Sequence, residues 1–167
     1  MEIINKVAQS GLITIEMKSF KGIQKRTVID IKKWLYEGIV LKEKLFRSHL
    51  KEVQWDNYKN HFVAIHCSED AIVPVWAYML ITTYLKPHAE KIILGDSNEL
   101  EAHIFYQNIN QLKVSDYKDK RVLIKGCSDT YIPDTSFVLI SDLLINEVKS
   151  LMFGEACSNV PIFKRKN

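Results

Sequence analysis

"FVAIHCSEDAIVPVWAYMLITTYLKPHAEKIILGD" fills residues 62–96, and its reading decides the fold. The run "HFVAIHC" (61–67) is short and apolar and reads as a strand. "VPVWAYMLITTYLKPHA" (73–89) reads as a helix with Pro74 in its first turn, where a missing N–H costs nothing. "KIILGD" (91–96) is the next strand, ended by Gly95 and Asp96. Strand, helix and strand in this order and at these lengths form the unit from which parallel sheets are built.

Downstream the alternation continues. "NELEAHIFYQNINQL" (98–112) predicts a helix, with Leu100, Ile104, Phe105 and Leu112 on one side and Glu99 and Glu101 in the first turn, where the helix dipole favours negative charge. "KRVLIKGC" (120–127) reads as a strand. "PDTSFVLISDLLINEV" (133–148) reads as a helix turning Phe137, Ile140, Leu144 and Val148 inward, and "LMFGEAC" (151–157) as the last strand. The expectation is an α/β fold: a three-layer, mostly parallel sheet with flanking helices. Upstream the pattern is less regular. "LITIEM" (12–17) suits an edge strand, Asp30 can cap a short helix "IKKWLY" (31–36) closed by Gly38, and "LKEKLFRSHLKEV" (41–53) places apolar residues at 41, 45, 46, 50 and 53. We read residues 1–167 as a single domain, with 1–59 an irregular α/β cap and 60–167 the core.

Composition sets the limits on function. Hydrophobic residues make up 47% and charged residues 26% of 167, the balance of a folded soluble chain. No stretch reaches the ~18–20 apolar residues of a membrane-spanning helix, and the start lacks the basic head and apolar block of an export signal. A cytoplasmic protein with no membrane partner is expected. The formal charge of +3 is spread along the chain apart from the terminal "KRKN", which reads as a solvated tail, so nucleic acid is not expected as a partner.

The three cysteines are odd in number, which argues against a disulfide framework. Cys67, Cys127 and Cys157 are each followed by serine, and Pro74, Pro133 and Pro161 follow a few residues later, each after Ile or Val. In a parallel sheet the residues just beyond each strand gather along one edge, where such folds bind ligands. Cys67 and Cys127 also precede helix N-termini, which stabilise thiolate. Three thiolates brought together repel one another unless a cation shares them. We therefore expect Cys67, Cys127 and Cys157 to bind a cofactor: an iron–sulfur cluster, which thiolate-only ligation favours, or zinc as the alternative. Asp96, at the end of the second strand, is the candidate fourth ligand, because His66 should face away from its neighbour Cys67. The expected role is cluster assembly, carriage or sensing. Two alternatives stand beside it: a metal-free interaction module with buried structural cysteines, and a thiol-dependent enzyme.

Other signals are weaker. Trp34, Trp55 and Trp76 sit in apolar contexts and read as packing residues; His49 and His103 read as surface or half-buried. "ILGDSNE" lacks the further glycines of a dinucleotide fingerprint. "DNYKNHFVAIHCS" from residue 56 and "SDYKDKRVLIKGCS" from 115 echo each other, with Tyr58 nine residues before Cys67 and Tyr117 ten before Cys127, which suggests two βα units of common design.

At "VAIHCSEDAIVPVWAYML", "VLIKGCSD" and "LMFGEACSNVPIFK", and nearly end to end including "INKVAQSGLITIEM" and "IDIKKWLYEGIVLKEK", the chain resembles a small bacterial family known as domain of unknown function 2480. The resemblance brings no activity with it. It implies that the motif cysteines are Cys67, Cys127 and Cys157, and that iron–sulfur assembly proteins are the partners, from neighbouring genes. An open-iron cluster on three cysteines from related α/β units also looks like the plan of quinolinate synthase, a likeness of architecture alone.

Overall fold

Asn60 starts the strand–helix–strand unit. In the computed structural model, which describes residues 11–126 and 129–166, Asn60 adopts φ 60° and turns the chain into β3 (Phe62–His66). The strand is four buried apolar residues and one half-buried histidine. Pro74, extended at ψ 139°, stands just ahead of α2 (Val75–Leu85) as its cap rather than inside its first turn. Ala77, Ile81 and Leu85 face inward at the helical spacing. β4 (Lys91–Leu94) then runs parallel to β3. On the other side β3 pairs in parallel with β2 (Arg26–Asp30), giving the sheet order β2-β3-β4.

These strands belong to one of two compact units, residues 23–100. Its core lies on one sheet face, where Ile29, Val63 and Ile65 meet Phe46 and Leu50 of α1 (Glu43–Glu52) and Ala77, Ile81 and Leu85 of α2. Full burial of each large aliphatic side chain contributes roughly 1.5–3 kcal/mol. Trp34 meets Phe46 edge-on at 5.8 Å, and Trp55 stacks on Tyr84 at 5.3 Å while its indole N–H donates to the Leu50 carbonyl. The tryptophans are packing residues, as expected.

The other unit comprises residues 1–22 and 101–167, so the first unit is inserted between its first strand and the rest. β1 (Leu12–Glu16) pairs in parallel with β5 (Arg121–Lys125), and β5 with β6 (Ser150–Glu155). The helices are α3 (Ser97–Asn110), within which the unit boundary falls, and α4 (Asp134–Leu144). Phe105, Ile109, Ile140, Leu144, Val148 and Leu151 form its core with Ile15 and Met17.

The two units repeat one plan at a constant spacing of 59 residues: Phe46 and Phe105, Leu50 and Ile109, Ile81 and Ile140, Leu85 and Leu144 are all fully buried. The first strands match as well, since β2 starts opposite Phe62 and β1 opposite Arg121, again 59 residues on. The echo in the sequence is therefore a structural duplication.

The expected α/β class with mostly parallel strands is what the chain forms, in two sheets. Residues 1–59, read as a cap, supply an edge strand to each sheet through β1 and β2. "LMFGEAC" is not the last strand. β6 turns at Ala156–Cys157 into β7 (Ser158–Lys164), which pairs with it antiparallel. No described helix is long and apolar enough to cross a membrane.

Candidate functional site

The strand ends of unit 23–100 hold a hydrogen-bonded cluster. Asp30 closes β2 and lies opposite His66, the last residue of β3. Its Oδ1 accepts from the Lys32 N–H at 3.0 Å and the Ser68 N–H at 3.1 Å, and its Oδ2 accepts from the Ser68 hydroxyl at 2.6 Å. Burial pushes the Asp30 carboxyl up, but the Ser68 hydroxyl, the Lys32 and Ser68 amides and the nearby His66 together outweigh it and hold the group below its ordinary value. His66 Nε2 stands 3.9 Å from Oδ2, beyond hydrogen-bond range. Through its bonds to Ser68 the Asp30 carboxylate clamps the loop after β3.

Cys67 is half-buried and packs against the core of the same unit. Burial raises the Tyr78 phenol, and Cys67 adds to the effect. The other unit has an ionic counterpart. Lys125, at the end of β5, is 3.1 Å from Glu155 of β6 and 3.7 Å from Glu16 of β1, and its ammonium is held above the ordinary value by the Glu155 hydrogen bond and charge and then by Glu16.

The expectation of a metal-binding protein on Cys67, Cys127 and Cys157 is not upheld. Among the described residues no group of three His, Cys, Asp or Glu side chains could hold a metal ion. Cys157 is exposed in the two-residue turn that ends β6, a strand parallel to β5, and leads into the antiparallel β7. Cys127 lies outside the described residues. Nor is Cys127 the counterpart of Cys67, because the 59-residue spacing sets Cys67 level with Gly126. The reading of the chain as an iron–sulfur protein of cluster assembly, carriage or sensing falls with it.

Asp96 is occupied elsewhere. Its Oδ1 accepts from the Asn98 N–H at 2.8 Å and the Glu99 N–H at 2.9 Å, while Glu99 Oε2 accepts from the Asp96 N–H at 2.8 Å. This is a reciprocal cap on α3. Gly95 makes room for it, since a Cβ there would stand 2.6 Å from Glu99 Oε2 and the backbone has φ 149°.

What motif reading missed is apolar and exposed. Ile72, Met79 and Leu94 are 90%, 64% and 64% exposed, and their counterparts 59 residues on, Tyr131, Val138 and Phe153, are 58%, 73% and 38% exposed. Val75 extends the first set along α2, and a bridge from Val40 to Ile72 brings the exposed Val40 beside it. In unit 1–22/101–167, Ile124, Phe137, Ser141, Phe153 and Ile162 line an open cavity of about 270 Å³. The signal in the sequence was the spacing itself, applied to exposed positions as well as buried ones.

Fold and site together define a class: a duplicated α/β protein with three parallel strands in each unit and an antiparallel fourth in one, clamped at the strand ends by polar groups. Residues 1–165 match the model of a family described as Protein of unknown function (DUF2480), and the chain belongs to that family. No curated protein and no solved structure matches it.

Proposed function

We propose that the chain is a protein-interaction module, which binds a partner chain through apolar side chains presented at matching places on its two units. The observation that carries this reading is the pairing of Ile72 with Tyr131, Met79 with Val138 and Leu94 with Phe153 as exposed apolar residues. Core positions stay apolar in two copies because burial requires it. Exposed positions have no such requirement, so apolar character at the same exposed places in both copies supports a binding role. Val75 and Met79 lie one turn apart on α2, on one face of the helix, with Ile72 just ahead of it. The 270 Å³ cavity beside Phe153 has the size to take one large anchoring side chain. Iron–sulfur assembly proteins are the first candidates to assay as partners.

The test is selection of displayed helical peptides on the full chain. Peptides carrying Leu and Phe anchors should be enriched, and Ile72→Asp with Met79→Asp, or Val138→Asp, should abolish their binding while the melting temperature is unchanged. Enriched peptides that bind all variants equally, or no enrichment above an unrelated protein, would sink the reading.

A further inference from the structure

The amino edge of the sheet in unit 1–22/101–167 carries a cavity of about 360 Å³ lined by Arg121, Lys149, Ser150, Met152, Pro161, Phe163 and Lys164. Its rim is cationic. Arg121 lies opposite Ser150 in the β5–β6 pair and Lys164 opposite Ser150 in the β6–β7 pair, so the three form one cross-strand row, with Lys149 next in the chain. Among the described residues no carboxylate pairs with Lys149 or Lys164. The floor is apolar. Met152 lies opposite Pro161 and shares a sheet face with Ser150, two residues before it.

The rim is held in place. Arg165 donates its backbone N–H to the Lys149 carbonyl at 3.0 Å, and its guanidinium binds Asp119 at 2.6 Å and the carbonyls of Asn146 and Glu147 at 3.0 and 2.9 Å. The end of β7, and Lys164 with it, is thereby fixed over the cavity. The row is particular to this unit: 59 residues earlier the corresponding residues are Phe62, Lys91 and, in place of Lys149, Glu90, which accepts a hydrogen bond from Gln24.

We propose that this cavity binds an apolar group bearing a carboxylate. The anion offsets the like charges of Lys149 and Lys164, and the apolar body covers Met152, Pro161 and Phe163. A free aliphatic acid and the C-terminal residue of a peptide offer the same chemistry.

The full chain, labelled with nitrogen-15, is titrated with octanoate, octan-1-ol, acetate, and N-acetyl-Gly-Gly-Leu with free and amidated carboxyl. Octanoate should move the amide signals of 121, 149–152 and 162–164 saturably, with affinity near about 1 mM, the range for so few ligand atoms. Octanol and acetate should bind at least about tenfold more weakly, and added salt should weaken octanoate. Lys149→Glu with Lys164→Glu should abolish binding. The tighter of octanoate and the free-carboxyl peptide identifies the source. Octanol equal to octanoate, salt-insensitive binding, or no saturable shifts at these residues from any probe would overturn the site, and the salt titration on unaltered protein decides it even if the double variant does not fold.

Discussion

Asn60 and Asp119 stand 59 residues apart, both at positive φ (60° and 57°), and donate their N–H groups to the carbonyls of His88 and Glu147, themselves 59 residues apart. The turn into β3 and the turn into β5 are therefore one device used twice. The next bonds repeat in the same way, Glu90 N–H to the His61 carbonyl and Lys149 N–H to the Lys120 carbonyl.

These turns favour Asn and Asp because a branched Cβ clashes in the left-handed region. Asn60→Val and Asp119→Val should each lower stability by about 1–2 kcal/mol in urea unfolding. Asn60→Gly should cost nothing.

Ser136 sits where the other unit has Ala77. It is buried, and among the described residues its hydroxyl has no hydrogen-bond partner. An unpaired buried polar group costs about 1–3 kcal/mol. Ser136→Ala should therefore raise stability by about 1 kcal/mol, read as a higher melting temperature; a loss of stability would show that the hydroxyl is satisfied.

The clamp on Asp30 gives a pH dependence of known sign. Its folded pKa lies below the ordinary 3.8, so its stabilisation is present above the unfolded value and is lost as pH falls through the folded one. Ser68→Ala removes the hydroxyl bond and should raise the Asp30 pKa, measurable by carboxyl carbon NMR. It should cost about 1 kcal/mol at neutral pH, and that difference should shrink on acidification below about pH 4.

Gly126 lies under the rings of Phe137 and Phe153, which meet edge-on at 5.6 Å. A Cβ there would stand 2.8 Å from Phe137 and 2.9 Å from Phe153. Gly126→Ala should force the rings apart and cost about 1–3 kcal/mol by overpacking, read as a lower urea midpoint.

Much was legible in the chain alone, and for a local reason. Apolar spacing within one helix or strand is written in neighbouring residues, so Leu100, Ile104, Ile140, Leu144 and Val148 could be assigned to the interior, "LITIEM" to an edge strand, and Asp30 to a cap, before any coordinates. The tyrosine echo at Tyr58 and Tyr117 likewise marked the duplication. Strand partners were not legible, because pairing joins residues far apart and is chosen by which faces bury together. Only the tertiary structure decided that β1 and β2 belong to different sheets, that one unit is inserted in the other, and that a seventh strand turns back after Cys157. The cysteine reading failed on the same point: shared neighbours in sequence put Cys67 and Cys157 in one motif, and both do follow parallel strands, but the first packs on a core while the second tips an exposed hairpin with a returning strand, and only long-range pairing settles such a difference.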